Sequence, residues 1–130
     1  MPPLRLIRGP GLTLSVLRDE PDALVMEAAY EGGGPMPPPH LHPRQEERFE
    51  VLEGAMRTII GGSERRYEPG EPFTVPADTP HQMAADGPTR LRWEVRPALR
   101  TARFFERLWS GEVTDFPALF EEFSDEFRLT

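Results

Sequence analysis

Hydrophobic and polar residues alternate with a period of two through most of the first 97 residues. Residues 12–16 alternate in this way within an apolar-rich stretch over 4–17, and residues 24–30 and 91–95 repeat the pattern. Successive side chains of a β-strand point to opposite faces, so the alternation is typical of strands with one buried face. Clusters of Gly, Pro and Asp separate these runs. The pattern predicts about eight to ten short antiparallel strands in a sandwich or closed barrel.

The period changes after Pro97, where apolar residues begin to recur every three or four positions. The first such run comprises Leu99, Ala102, Phe105 and Trp109, and the second comprises Phe116, Leu119, Phe120, Phe123 and Phe127. This spacing is typical of amphipathic helices, and Asp115 and Pro117 can begin the second one. We predict one domain, with a β-barrel over residues 1–97 and a helical extension over 98–130. The extension is expected to pack on the barrel or on a partner subunit.

The composition agrees with a single globular domain. Hydrophobic residues make up 38% of the 130 residues and charged residues 28%, as in water-soluble proteins. No run approaches the ~20 apolar residues of a membrane span, and the amino end lacks a signal-peptide core. We therefore expect a cytoplasmic protein without a membrane partner. Because the chain has no cysteine, it contains neither a disulfide nor a thiolate metal ligand.

The charge distribution excludes further classes. A net charge of −7 argues against a general nucleic-acid-binding surface, which would have to be basic. Every basic residue is arginine, and both lysine and asparagine are absent. A GC-rich bacterial genome would produce this bias, as would adaptation to heat. Without lysine, a Schiff base on a side-chain amine is excluded.

Two of the three histidines, His40 and His42, stand one residue apart. In a strand, side chains i and i+2 share a face, so the pair directs two imidazoles to one place. Three prolines directly before His40 hold the backbone extended. The third histidine, His81, follows Pro80 in a second Gly- and Pro-rich segment. The alternative interpretation is that these are surface or core histidines without a shared role.

A pair of glutamates follows the first two histidines. Glu47 would share a strand face with the apolar residues Phe49 and Val51 and would therefore point inward. Glu46 would point outward. The inward face makes Glu47 the better candidate for a ligand, although an ordinary solvated carboxylate is the alternative.

The two segments have fixed internal spacings. The first has the form G-x5-H-x-H-x4-E-x6-G and the second G-x5-P-x-D-x2-H, with Gly34, His40, His42, Glu47, Gly54, Gly70, Pro76, Asp78 and His81 in the named positions. Together they resemble the paired motifs of the cupin superfamily. The family pattern has Gly where Asp78 stands and Asn where Ala85 stands. Asp tolerates the left-handed conformation, and Asp86-Gly87 can supply the tight turn.

The resemblance implies an all-β fold, an antiparallel double-stranded β-helix or jelly roll, with two C-terminal helices added here. It also implies a homodimer and a divalent metal held by His40, His42, Glu47 and His81. Imidazole and carboxylate ligands suit Mn, Fe, Ni, Co, Cu or Zn. Such a site would keep open positions and a net charge of about +1, which would attract an anionic, oxygen-rich small molecule such as an enolate or α-hydroxycarboxylate.

Three functional interpretations compete, and the complete set of four candidate ligands argues against the third, an interaction domain without a metal. The first is a metalloenzyme of a dioxygenase- or isomerase-like kind, in which the ion does most of the chemistry and Glu47 is the only candidate base. The second is a non-catalytic module that binds or senses a metal or a small molecule. Side chains on strand faces that could line a substrate pocket are Met26, Tyr30, Phe49, Met56, Met83 and Trp93, although each could equally belong to the core.

Overall fold

The computed structural model describes residues 2–130 and consists of two antiparallel sheets and two short helices. In chain order the elements are β1 (Arg5–Gly9), β2 (Leu12–Glu20), β3 (Ala23–Tyr30), β4 (His40–Leu41), β5 (Glu46–Glu53), β6 (Met56–Ile60), β7 (Ser63–Tyr67), β8 (Pro72–Val75), β9 (His81–Ala85), β10 (Thr89–Arg96), α1 (Thr101–Leu108), α2 (Phe116–Glu122) and β11 (Arg128–Leu129). One sheet has the order β1-β2-β3-β10-β5-β8 and the other β11-β4-β9-β6-β7. The predicted all-β jelly roll with two C-terminal helices is confirmed.

Strand β5 shows why the alternating pattern folds in this way. Glu47, Phe49 and Val51 are buried, whereas Arg48 and Glu50 on the opposite face are exposed. The strand is paired on both sides, with β10 and with β8, so its inward face is fixed in register. The inward direction predicted for Glu47 is therefore observed.

The hydrophobic core lies between the two sheets. Leu14, Leu24, Val51 and Leu91 have no exposed surface, and each comes from a different strand of the six-stranded sheet. Burying an aliphatic side chain of this size contributes about 1.5–3 kcal/mol to the free energy of unfolding. The core thus holds the large sheet as a rigid wall behind the functional site.

Two features of the strands differ from the predictions. The apolar-rich stretch over residues 4–17 forms two strands, because Pro10 and Gly11 make a hairpin turn in which Gly11 has φ 73°. The strands β4 and β11 contain two residues each, which is too short to produce a periodic pattern. Neither could be recognised from alternation alone.

Two turns of the cupin-like segments have the backbone conformation that the sequence requires. Asp78 has φ 61°, so aspartate makes the left-handed turn for which the family pattern has glycine. Gly54 has φ 81°, and a Cβ atom there would lie 2.4 Å from the carbonyl oxygen of Pro88. The Asp78 N–H donates to the carbonyl of His42 at 2.9 Å. This bond joins the second segment to the strand end that carries the first two histidines.

The C-terminal region is only partly helical. Asp115 caps α2 as predicted, since its Oδ1 accepts a hydrogen bond from the Ala118 N–H at 3.0 Å. Leu99, expected in the first helical run, lies before α1 with φ 46° and is 37% exposed. Phe127, expected at the end of the second run, lies beyond α2. The chain then returns to the barrel, where β11 pairs with β4.

Among residues 2–130, no helix has the length and apolar character needed to cross a membrane.

Candidate metal centre and cavity

Two neighbouring strands bring the three histidines together. His40 in β4 is the direct partner of His81 in β9, and their ring centroids are 4.4 Å apart. The ring of His42 lies 5.3 Å from that of His40 and 5.2 Å from that of His81. One ring nitrogen of each histidine lies within 4.8 Å of the others, and the group has the composition of a metal site. The described chain therefore gathers all of its histidines into one cluster.

Each imidazole is oriented by a backbone carbonyl. The Nδ1 atom lies 3.2 Å from the Pro38 oxygen in His40, 2.7 Å from the Glu126 oxygen in His42 and 2.9 Å from the Thr79 oxygen in His81. A carbonyl oxygen only accepts hydrogen bonds, so each Nδ1 carries the proton and donates it. In the neutral ring, Nε2 is then left with a free lone pair. This is the arrangement that fixes the tautomer of metal-ligating histidines.

The Glu47 carboxylate faces two of these free nitrogens. Its Oε1 lies 3.1 Å from Nε2 of His42 and 3.0 Å from Nε2 of His81. The groups are close but poorly aligned for hydrogen bonding, and both Glu47 Oε1 and His42 Nε2 are buried without a hydrogen-bond partner. Buried polar atoms of native proteins are almost always satisfied. Two electron-pair donors in contact are favourable only when a proton or a bound cation lies between them.

The donor set fits a divalent transition ion. Two ligands bound at right angles, each ~2.1 Å from an ion, are ~3.0 Å apart. The distances from Glu47 Oε1 to His42 and His81 agree with this spacing. The carboxylate is also held on its other side, because Trp93 Nε1–H donates to Glu47 Oε2 at 2.9 Å. The four residues that the motifs select are therefore brought together, with Trp93 fixing the orientation of the acid.

The electrostatics of the cluster keep the acid ionised. Burial alone would raise the pKa of the Glu47 carboxyl, but His42 and His81, when they carry a proton on the facing Nε2, outweigh burial and hold that pKa well below its ordinary value. The same contact has the opposite effect on His42 and raises the pKa of its imidazole. Burial lowers the pKa of His42, and the negative charge of Glu47 reverses this effect, so the pKa is raised.

Two further titratable groups near the cluster, His40 and Tyr30, are kept neutral at pH 7. Burial lowers the pKa of His40 to about 4, and the neighbouring His81 and His42 contribute in the same direction. Burial, together with the charge of Glu47, raises the pKa of the Tyr30 phenol. His40 is thus a neutral imidazole available as a ligand, and Tyr30 is a protonated phenol.

A cavity of about 400 Å³ opens beside the cluster. Its volume is in the range of small-molecule binding sites. His40, His42, Glu47 and His81 form part of its wall. The remainder is mostly aromatic, aliphatic, proline and glycine residues.

The structure separates the six predicted pocket residues into two groups. Tyr30, Phe49, Met83 and Trp93 line the cavity. Met26 and Met56 do not line it, which corrects the prediction for these two. Both are fully buried in the core. Face alternation alone could not distinguish a side chain at the cavity from one deeper in the same barrel.

The C-terminal region supplies cavity residues that the sequence patterns did not identify. Phe105, Leu108 and Trp109 approach from α1 and its end, and Phe127 and Leu129 from the returning chain. The aromatic ring of Phe127 stacks on His40 with centroids 5.0 Å apart. The only sequence signal was the phenylalanine-rich run itself, which is more often a packing surface than a site.

The chain matches the model of the cupin domain over residues 26–95 and belongs to the cupin family. None of the curated proteins compared with it matches. Among solved structures, KdgF from Halomonas sp. has 24% identity and a TM-score of 0.68, with 75% of this chain and 92% of that chain covered. An RmlC-like cupin from Shewanella frigidimarina has 20% identity and a TM-score of 0.68, with 75% and 87% covered.

A third similar structure is Pac13, described as a unique nucleoside dehydratase. It has 18% identity and a TM-score of 0.64, and the match covers 75% of this chain and 79% of that chain. A Streptomyces Pac13 variant has been solved with uridine. At these identities the comparisons establish the fold alone.

Proposed function

We propose that this cupin holds one divalent transition metal through His40, His42, Glu47 and His81 and presents it to a small molecule in the adjacent cavity. The proposal rests on one observation. Three imidazoles donate Nδ1–H to backbone carbonyls, and the Nε2 lone pairs of His42 and His81 face Oε1 of Glu47, which has no hydrogen-bond partner; His40 completes the histidine cluster beside them. A divalent ion would accept these lone pairs together and would satisfy the unpartnered carboxylate oxygen as well.

The residues around the proposed ion have separate roles. His40 binds as a neutral imidazole, because its low pKa keeps it unprotonated at pH 7. Trp93 holds Glu47 in place through the hydrogen bond to Oε2. When bound, the ion supplies Lewis-acid polarisation of a substrate oxygen or a place for dioxygen. Tyr30, which lines the cavity as a neutral phenol, can donate a proton or a hydrogen bond to a bound molecule.

We favour a metalloenzyme, dioxygenase- or isomerase-like, over a binding or sensor module. An accessible cavity beside an incompletely enclosed donor set is what catalysis at a metal needs. A fold relative described as a nucleoside dehydratase supports an enzyme as well. The fold alone does not decide the reaction. The binding-module alternative remains the second candidate, since the cavity offers few protein groups for acid–base chemistry.

The metal proposal is tested by metal analysis of purified protein at neutral pH. We expect about one divalent ion per chain in the wild type, with most of it lost in His42→Ala and Glu47→Gln. The matched control is Glu46→Gln. Glu46 is the adjacent acid on the outer face, where it pairs with Arg48 at 2.6 Å. The Glu46→Gln variant should retain the full metal content. Equal metal content in Glu47→Gln and Glu46→Gln would contradict the proposed site.

A second measurement separates the enzyme from the binding module. The protein is loaded with Fe(II), Mn(II), Ni(II) or Cu(II) and mixed with catechols, flavonols and β-diketones while dioxygen uptake and product formation are followed. Turnover that is absent in His42→Ala supports the enzyme. Retention of one compound without turnover in any metal form would favour the binding module.

A further inference from the structure

The wall of the cavity contains almost no charge. Charged residues make up 28% of the chain, yet within residues 2–130 Glu47 is the only acidic or basic side chain, apart from the histidines, that lines the cavity. No arginine is among the lining residues. Arginine side chains pair with acids on the outer surface instead, as in Arg90–Glu53 and Arg66–Asp86. A charged substrate would find no counter-ion in the wall except at the metal centre.

Neutral hydrogen-bonding side chains are also scarce. The lining part of the described chain includes no Ser, Thr, Asn or Gln, and Trp93 Nε1–H is already bonded to Glu47. Beyond the histidines, this leaves the Tyr30 hydroxyl and the Trp109 indole as polar side-chain groups. A sugar acid or phosphate has several hydrated oxygens, and each one buried without a partner costs about 1–3 kcal/mol. The wall therefore selects against oxygen-rich molecules.

The apolar residues of the wall are incompletely covered. Leu12, Tyr30, Met83 and Trp109 are packed against the core but remain partly exposed, and all four line the cavity. In the metal cluster itself, Phe127 is stacked on His40. Aromatic and sulfur-containing side chains around an open space are suited to a flat apolar ligand. A ligand that fills the space would remove this surface from water.

We propose that the cavity takes a compact, apolar aromatic molecule with a single oxygen donor, such as a phenolate or an aromatic enolate. The aromatic body lies against the side chains from β2, β3 and the C-terminal region, and the oxygen lies at the His40–His42–Glu47–His81 cluster. The oxygen contact rests on the proposed metal site, whereas selection for the aromatic body rests on the wall alone. Within the range of ligands suggested by the sequence, the wall thus favours enolates over α-hydroxycarboxylates.

Isothermal titration calorimetry with two probes tests this substrate class. The probes are 2-naphthol, an aromatic ring system with one oxygen, and D-glucuronate, an anion with many. Both are titrated into full-length protein with chelator and into protein loaded with Mn(II). We expect 2-naphthol to bind at least about tenfold more tightly than D-glucuronate in both forms. Metal should tighten its binding further.

Variants of the wall show where the probe binds. Leu108→Asp places a charge in the wall without touching the histidines, and the Kd for 2-naphthol should rise about tenfold or more. Leu12→Asp is a second variant, on β2 rather than α1, in case the first does not fold. The matched control is Leu99→Asp, because Leu99 is exposed outside the cavity and aspartate accepts its positive φ. The Kd of Leu99→Asp for 2-naphthol should match that of the wild type.

The outcomes separate this inference from the metal proposal. Equal or tighter binding of D-glucuronate by metal-loaded protein would overturn the aromatic substrate class while leaving the metal site intact. So would the absence of 2-naphthol binding, or binding unchanged in both wall variants. Selective 2-naphthol binding by a protein that takes up no metal would support the wall argument and refute the metal proposal.

Discussion

The three imidazoles share one centre but not one electrostatic environment. Glu47 faces His42 and His81 directly, whereas His40 lies between them and the ring of Phe127. Burial is the largest effect on the pKa of both His42 and His40, but the Glu47 attraction that offsets it at His42 is weak at His40. Consequently, His40 is the histidine of the cluster whose lowered pKa, about 4, keeps it unprotonated at neutral pH in the folded state.

The metal-free protein should lose stability through His40 as the pH falls. The pKa of His40 is about 4 in the folded state, against 6.5 for an ordinary histidine. Between these values the unfolded chain binds a proton that the folded chain does not, so the unfolding free energy decreases from pH 6.5 to pH 4 and this contribution levels off below pH 4. The loss is on the order of 3 kcal/mol. Urea unfolding in chelator at several pH values measures it.

The variant that isolates this effect is His40→Asn, which lacks the titrating group. As the pH falls from 6.5 to 4, the unfolding free energy of the wild type should decrease more than that of the variant. The surface carboxylates titrate in both proteins and cancel in the difference. Parallel pH profiles for the two proteins would show that burial does not perturb His40.

Residue-level prediction succeeded where a spacing fixes geometry. The choice of Glu47 over Glu46 followed from strand alternation in β5, and Asp78 adopts the left-handed turn expected of it. The cavity residues were harder to predict. Met26 and Tyr30 lie on the same face of β3, yet Met26 is in the core and Tyr30 at the cavity. Depth within a barrel depends on packing between distant strands, which no local pattern contains.

The returning C-terminal chain supports the histidine cluster from outside the barrel. The carbonyl of Glu126 accepts the Nδ1–H of His42, and β11 pairs with β4, the strand that begins with His40. The side chain of Glu126 is 3% exposed and pairs with Arg100 at 3.1 Å. This ion pair anchors the segment at the start of α1. The position of His42 thus depends on a contact between residues far apart in the chain.

Removing the buried charge of Glu126 should lower both the stability of the fold and the affinity of the proposed metal site. Glu126→Gln breaks the ion pair with Arg100, and we expect a loss of about 1–3 kcal/mol in unfolding free energy. The carbonyl that orients His42 should shift as well, and the metal Kd should rise about tenfold, as for other outer-shell changes. Urea unfolding of the metal-free protein and metal titration at pH 7 measure the two effects.

The control for this prediction is Glu122→Gln. Glu122 pairs with Arg107 at 3.2 Å on the surface of the same region, and both side chains are more than 40% exposed. Loss of such a pair changes the unfolding free energy by about 0.5 kcal/mol or less and should leave metal binding unaltered. A metal Kd that is the same in Glu126→Gln and Glu122→Gln would show that the anchor does not position His42.

At the level of elements, the strands of four or more residues were largely predictable, because burial on one face leaves an alternating sequence. The two short strands were not, since β4 and β11 are held by pairing and by neighbouring side chains rather than by pattern. The phenylalanine-rich run was interpreted as helical up to Phe127. The helix ends at Glu122, and Phe127 packs between His40 and the core ring of Phe104. Tertiary contacts, rather than the local sequence pattern, therefore determine the conformation of the segment after Glu122.

The two sheets of the jelly roll end at β1, β8, β11 and β7, and β1 is the terminal strand with the largest exposed aliphatic surface beside it. β1 is the terminal strand of the six-stranded sheet, and Leu4 and Leu6 beside it are 64% and 47% exposed. An unpaired edge with apolar side chains is a surface for association with another chain. We therefore place the expected homodimer contact at β1.

Sedimentation velocity tests the homodimer. We expect the wild type to sediment with twice the mass of one chain, and Leu6→Asp to shift the population toward the monomer at micromolar concentration, since a charge would be buried in the contact. Phe116→Asp is the control, because Phe116 is similarly exposed, at 46%, on α2. A monomeric wild type would refute the dimer. Equal dissociation by both variants would place the contact elsewhere than β1.

The positions of the tryptophans have a practical consequence. The chain has only two, Trp93 and Trp109, and both belong to the cavity wall. Trp93 is in addition bonded to Glu47. Indole fluorescence from the unlabelled protein therefore comes entirely from residues of the cavity wall. Its emission maximum and intensity should change when an ion or an aromatic ligand binds, so binding can be followed without a label.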